Sequence, residues 1–225
     1  MMHAITNYNR LPDDIVAGFK SQATATIYEA SGRKGYISHL IKPIAKGVTV
    51  CGSAFTVQCA PGDNLMLHKA LEIAKPGDVI IATTGGAYEY GYWGGLMTVS
   101  GIAGRLGGLV IDGCVRDSAE IAEMGFPVFC RGFSVRGTTK ASLGLINYPL
   151  PFGGQSIEAG DLIFGDDDGL VTVKAADCAE VLENTIKRTV AEEQKKKTLG
   201  SGISSVEYNK LAEVFAKLGY AEEAR

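Results

Sequence analysis

Gly108-Leu109-Val110-Ile111-Asp112-Gly113-Cys114-Val115-Arg116-Asp117-Ser118-Ala119-Glu120-Ile121 opens with a continuous apolar run of strand length. It lacks the alternation of a half-solvated strand, so it reads as a strand covered on both faces. Polarity returns at Arg116-Asp117, and a short helix follows over 118–124. Working outward, Pro76-Gly77-Asp78 turns into a second buried strand, Val79 to Ala82, and Pro127 to Cys130 forms a third. Between the first two lies a helix from Gly94 to Leu106. Its small residues Ser100, Ala103 and Gly104 are suited to close packing against a sheet. Strand, helix, strand, helix, strand is a βαβ series, normally joined by right-handed crossovers.

The flanks add a different grammar. Residues 13–31 read as one helix with Ile15, Val16, Phe19, Ala23 and Ile27 on its apolar side. Residues 48–58 read as a strand broken near Gly52, and 64–74 as a helix after the turn Pro61-Gly62-Asp63. Leu162-Ile163-Phe164 and Leu170-Val171-Thr172-Val173 flank Gly165-Asp166-Asp167-Asp168-Gly169, which is the pattern of an antiparallel hairpin. The end is helical over 175–197 and 206–218, with a break at Gly200-Ser201-Gly202. The fold class expected is an α/β sandwich with both parallel and antiparallel strands. No Pro/Gly/Ser-rich linker and no repeat divides the chain, so 1–225 reads as a single domain with C-terminal helices from about 175.

Composition narrows the function classes. Hydrophobic residues make up 46% and charged residues 21%, ordinary for a globular protein. A net charge of -3 leaves no basic footprint for nucleic acid. No apolar run is long enough to span a bilayer. The first residues lack the charged start and apolar core of a signal peptide. A cytoplasmic protein with no membrane or nucleic-acid partner is expected. The cysteines, Cys51, Cys59, Cys114, Cys130 and Cys178, match no zinc spacing, and most read as small buried hydrophobes. Cys114 stands apart because it lies two residues before Arg116.

Chemistry concentrates in three places. Arg116 and Asp117 follow a buried strand and precede a helix, and ligands bind at that carboxyl edge in open α/β sheets. The arginine offers a planar fork for a carboxylate, and the aspartate a hard oxygen for Mg²⁺ or Mn²⁺. Against this stands the ordinary use of Asp117 as a helix N-cap in an exposed pair. Second, Tyr92-Trp93-Gly94-Gly95-Leu96-Met97 opens a helix, where free backbone N–H groups can cradle an anion. Glycines there also serve plain turns. Third, Asn64 and His68 are four apart on one helix face, although a lone histidine among apolar neighbours is usually a core group. Asp166-Asp167-Asp168-Gly169 lacks the alternating ligands of a calcium loop and reads as a turn. Glu192-Glu193-Gln194-Lys195-Lys196-Lys197 reads as a solvated helix face.

With these residues placed, the chain resembles the RraA-like superfamily, and within it the class II aldolases of 4-hydroxy-4-methyl-2-oxoglutarate and 4-carboxy-4-hydroxy-2-oxoadipate. The resemblance runs roughly from Ala23 to Tyr208. It rests on Pro61-Gly62-Asp63-Asn64, on Gly91 to Met97, on Leu109 to Asp117, on Gly125-Phe126-Pro127-Val128-Phe129 and on Asp166 to Gly169. It implies an αββα sandwich of the swivelling phosphohistidine-domain type, assembled as a homotrimer or a dimer of trimers. It further implies Asp117 as the metal-binding residue for Mg²⁺ or Mn²⁺, with Asp117 and Arg116 catalytic. Gly94, Gly95, Leu96, Met97 and Arg116 would bind a small-molecule 2-oxo acid. Two positions depart from the aldolase pattern, since Gly95 and Ile203 stand where acidic residues are expected, and Glu207 is four residues out of register. Decarboxylation of oxaloacetate needs little beyond the metal sink. Retro-aldol cleavage also needs a base, worth about 10²–10⁴-fold, so decarboxylase activity is the firmer expectation. The alternatives are a non-catalytic regulator like the RNase E inhibitors of the superfamily, or a lyase or hydrolase for another oxo acid.

Overall fold

The computed structural model describes residues 2–223. It separates into two compact units, Met1–Thr185 and Ile186–Arg225. The first holds a mixed sheet built on β1 (Val50–Gln58), β2 (Val79–Thr83), β3 (Gly108–Asp112), β4 (Val128–Cys130), β5 (Leu162–Asp166) and β6 (Gly169–Val173). The order is Tyr36–Ile37, β6, β5, β1, β2, β3, β4, Lys42–Pro43. β1 to β4 run parallel, while β5 and β6 form an antiparallel hairpin paired antiparallel to β1.

β1 is the seam. Its first half, Val50 to Ser53, pairs with β5, and its second half, Ala54 to Gln58, pairs with β2. The break expected at Gly52 is absent, and the strand is continuous through it. Gly52 is instead where the backbone of Gly77 comes against the strand, leaving no room for a Cβ.

Strand alternation sorts the core into three layers. Ile80, Ala82, Leu109 and Ile111 face a cluster with Leu67, Ala70, Met97 and Ile121. These last four come from α3 (Leu65–Ile73), α4 (Gly95–Ala103) and α5 (Ser118–Met124). Val79, Ile81 and Val110 face the opposite way and meet Ile163 and Leu170 of the hairpin. Leu162, Phe164, Val171 and Val173 then face Phe19, Ile27 and Val181. The result is helices, two sheet faces and helices again, the αββα sandwich that the resemblance implied.

Several boundaries differ from expectation. Residues 13–31 form two helices, α1 (Asp13–Phe19) and α2 (Thr24–Ala30), because the Asp166 carboxylate accepts from Thr24 N and starts α2 afresh. On α4, Ser100 and Ala103 face solvent, and Gly101 is the small residue that packs, against Phe126 and Trp93. The Asp167-Asp168 pair forms the expected hairpin turn, with Asp166 opposite Gly169.

The second unit contains the end of α6 (Cys178–Gly200), α7 (Ser205–Tyr208) and α8 (Ala212–Lys217). The helix expected over 206–218 is therefore two. Ser204 caps α7 by accepting from Glu207 N at 3.1 Å. Ile203 and Glu207 belong to this unit, and both are exposed. Among the described residues no helix is long and apolar enough to cross a membrane.

Candidate active site

The carboxyl edge of β2 and β3 carries a small layer of extended chain. Gly91 N donates to Arg136 O, Tyr92 N to Cys114 O and Arg116 N to Trp93 O, at 2.8, 3.0 and 2.8 Å. Cys114-Val115 pairs in parallel with Gly132-Phe133. These bonds fix Arg116 and Asp117 directly beside the Gly94-Gly95 start of α4. Both loops therefore open on one edge of the sheet.

Asp117 occupies the N-cap position of α5 but makes no side-chain cap bond. Its backbone is left-handed at φ 57°, uncommon for a residue with a Cβ, though Asp tolerates it better than most. That turn directs the carboxylate away from its own helix. Oδ2 accepts from Gly95 N at 3.0 Å and lies 3.6 Å from Arg116 Nε. The capping reading is therefore replaced by a carboxylate aimed at the neighbouring helix start. Of the loop amides, that of Gly95 is engaged by Asp117, while those of Leu96 and Met97 have no intrahelical acceptor, as at any helix start.

Arg116 borders a cavity of about 230 Å³ lined also by Asn64, His68, Tyr92, Gly94, Met97, Thr138 and Lys140. His68 is exposed on this wall rather than buried as a core group. Partial burial and then the charge of Lys140 hold its imidazole below the usual histidine range. Asn64 is 5% exposed. Its Nδ2 donates to Tyr92 O at 2.9 Å, while its Oδ1 has no hydrogen-bond partner. An unpaired buried carbonyl of this kind is costly in a plain core. On its other side Arg116 meets a second hollow of about 410 Å³, with Asp117, Ser118, Phe133 and Val135. A larger hollow of about 630 Å³ lies away from this edge, around Lys34, Thr172 and Glu180. It has no arginine fork, and its Lys174 is tied to Asp161 and Glu158.

Lys140 and Thr138 escaped the sequence reading because their loop matches no motif. What places them is Asp63, 2% exposed, which accepts from Thr139 Oγ1 (2.8 Å), Ala141 N (2.6 Å) and Ser142 N (3.1 Å). It also accepts from Leu65 N at 2.8 Å. Burial pushes its carboxyl up, but these donors together hold it below the usual range.

Cysteine chemistry is remote from this picture. Burial pushes the Cys59, Cys130 and Cys178 thiols up to about 12 and Cys51 to about 11. Cys114, the one set apart, is also raised by burial, with Arg131 opposing. None is an activated thiolate.

The donor set suits the implied Mg²⁺ or Mn²⁺. Asp117 offers a hard oxygen, and a Cβ at Gly94 would stand 2.6 Å from Asp117 Oδ2, so glycine keeps that side open. Among the described residues no three His, Cys, Asp or Glu side chains gather at one point. An ion here would keep most of its shell as water, as Mg²⁺ commonly does.

A sheet-edge site of this kind on an αββα sandwich defines a class, and comparison with known proteins gives it a family. The RraA-like pattern, described as Aldolase/RraA, matches residues 24–172. A protein of Halalkalibacterium halodurans, provisionally named 4-hydroxy-4-methyl-2-oxoglutarate aldolase, is 34% identical over 86% of this chain and 92% of its own. A crystal structure of an uncharacterized Pseudomonas syringae protein superposes with a TM-score of 0.78 at 26% identity, covering 88% of this chain and 97% of that one. Streptomyces coelicolor RraAS2, an unusual member of the RNase ES inhibitor RraA family, gives 0.77 at 26%, covering 84% and 99%. The chain belongs to the RraA-like family.

Proposed function

We propose that the chain is a divalent-metal-dependent lyase of 2-oxo acids. It would cleave 4-hydroxy-4-methyl-2-oxoglutarate or 4-carboxy-4-hydroxy-2-oxoadipate and decarboxylate oxaloacetate, as a homotrimer or dimer of trimers. The observation that carries this is the Asp117 carboxylate, which makes no cap bond to its own helix and lies beside the Arg116 guanidinium, itself part of the wall of a polar cavity. The provisional name of the 34% identical relative points the same way.

When bound, a divalent cation supplies a sink for the electrons released as the bond beside the keto group breaks. The chain's own groups orient the substrate. Arg116 presents a fork to a carboxylate. Lys140 adds a second cation on the same wall, suiting a dicarboxylic acid. The Leu96 and Met97 amides, without intrahelical acceptors at the start of α4, would serve as donors to a substrate anion. His68, held neutral by partial burial and Lys140, is the lining side chain able to accept the proton of a substrate hydroxyl near pH 7.

The test is steady-state pyruvate release from oxaloacetate and both aldol substrates, with Mg²⁺ and then EDTA. Turnover that EDTA abolishes is expected; no metal-dependent turnover of any of the three overturns the lyase reading. The likeness to RraAS2 favours a second reading, a regulator that keeps the scaffold without catalysis. Such a protein would bind neither Mn²⁺ nor oxalate.

A further inference from the structure

The hollow of about 630 Å³ away from the Arg116 edge is walled by the loop after α2, the end of β6, the start of α6 and the strand Gln155–Ile157. Its volume falls within the range of about 300–1,000 Å³ usual for small-molecule sites. Thr172 of β6 lines it and is 7% exposed, and its Oγ1 has no hydrogen-bond partner. A buried hydroxyl left unpaired is costly, and a ligand in the cavity would complete it.

Ser156 supplies a second free group. Its strand pairs with Leu150–Phe152 across the two-residue turn Gly153-Gly154, so Phe152 with Gln155 and Leu150 with Ile157 are the bonded pairs. Ser156 lies between them opposite Pro151, and its N–H and C=O therefore point outward together. The C=O accepts from Lys174 Nζ at 2.8 Å, and Lys174 lines the cavity too. The N–H on that side bonds to no other segment.

The charges of the wall are divided. Lys174 is held by Asp161 and Glu158. Among the described residues Lys34, Asp177 and Glu180 have no side-chain hydrogen bond or ion pair. A helix start favours acids, which accounts for Asp177 and Glu180 but not for the free cation, the free amide or the orphaned hydroxyl beside them. The wall has no arginine fork for a phosphate and no aromatic ring on which a base or sugar would stack. Ala30, Val173 and Val181 form its apolar part.

We propose that this cavity binds a small zwitterion, an α-amino acid with an aliphatic side chain. Its carboxylate takes Lys34 and the Ser156 N–H, its ammonium takes Asp177 and Glu180, and Thr172 Oγ1 accepts one ammonium proton. The site is separate from Arg116 and Asp117 and does not depend on the metal-dependent reading.

The experiment is calorimetric titration of the full-length protein with L-leucine, beside 4-methylpentanoate and 3-methylbutylamine, which each keep one of the two charges. Saturable binding of leucine is expected, with each single-charge analogue at least about 10-fold weaker. Lys34→Met and Glu180→Gln, both at exposed positions, should each weaken leucine binding by about 10-fold or more. Thr172→Val should also weaken it, yet melt no lower than wild type without ligand, because it removes an unpaired hydroxyl. No leucine binding, an analogue that binds as tightly, or unchanged affinity in any of the three variants overturns the proposal. So does loss of leucine binding in Arg116→Ala, which would place the amino acid at the other edge.

Discussion

Asp117 combines two features that a purely structural aspartate would not need together. It takes a left-handed backbone, and it leaves the N-terminus of α5 without a side-chain cap. A left-handed conformation costs an L-residue about 1–2 kcal/mol, less for Asp, and glycine avoids that cost. Glycine at an N-cap loses only a few tenths of a kcal/mol relative to Asp. Asp117→Gly is therefore expected to be at least as stable as wild type in thermal melts. Its metal-dependent pyruvate release should fall by about 10³-fold, the loss expected when several kcal/mol of Lewis-acid stabilisation disappear. A variant that is clearly less stable, or one that retains activity, would return Asp117 to a structural role. The sequence made the Arg116-Asp117 pair legible because a buried strand ending in Gly113 led straight to it. It could not show which way the carboxylate points. That depends on one backbone torsion and on the amide of Gly95, twenty-two residues earlier in the chain.

The loop that carries Thr138 and Lys140 owes its place to the turn just before α3. Asp63 takes four donors from two segments far apart in sequence, and no local pattern announces that clamp. Pro61-Gly62-Asp63 could be read as a turn before a helix; the loop it holds could not. Because the folded carboxyl lies below its ordinary value of 3.8, the unfolded state takes up its proton first as pH falls. The stabilisation from Asp63 is thus fully present above about pH 5, fades as pH drops through 3.8, and is lost below the folded value. Asp63→Asn should destabilise the protein by about 1–3 kcal/mol near pH 7, and the gap from wild type should close in acid. It should also raise KM for oxaloacetate more than it lowers kcat, since Lys140 would be less fixed. Urea denaturation at a series of pH values checks the first part. A gap that widens in acid would contradict it. Elsewhere at this scale, continuous apolar strands and the hairpin turn were readable from the chain. The division of 13–31 was not, because the carboxylate that starts α2 comes from Asp166 in the hairpin.

For the whole molecule, the βαβ series gave the parallel half of the sheet and the Asp-rich turn gave the antiparallel half. Their joining through β1, which serves both, is a long-range pairing invisible to periodicity. Residue alternation then makes three core layers from one curled sheet, and the carboxyl ends of β2 and β3 converge where Gly94 and Arg116 meet. This architecture matters to function only if a divalent ion sits against Asp117 with a keto-acid mimic between it and Arg116. A crystal structure of the protein soaked in Mn²⁺ and oxalate tests this most directly. The expected result is an anomalous peak within about 2.2 Å of an Asp117 carboxylate oxygen, with oxalate bridging towards Arg116. An Asp117 carboxylate facing solvent with no ion near it, in crystals where oxalate and Mn²⁺ are saturating, would contradict the proposed chemistry.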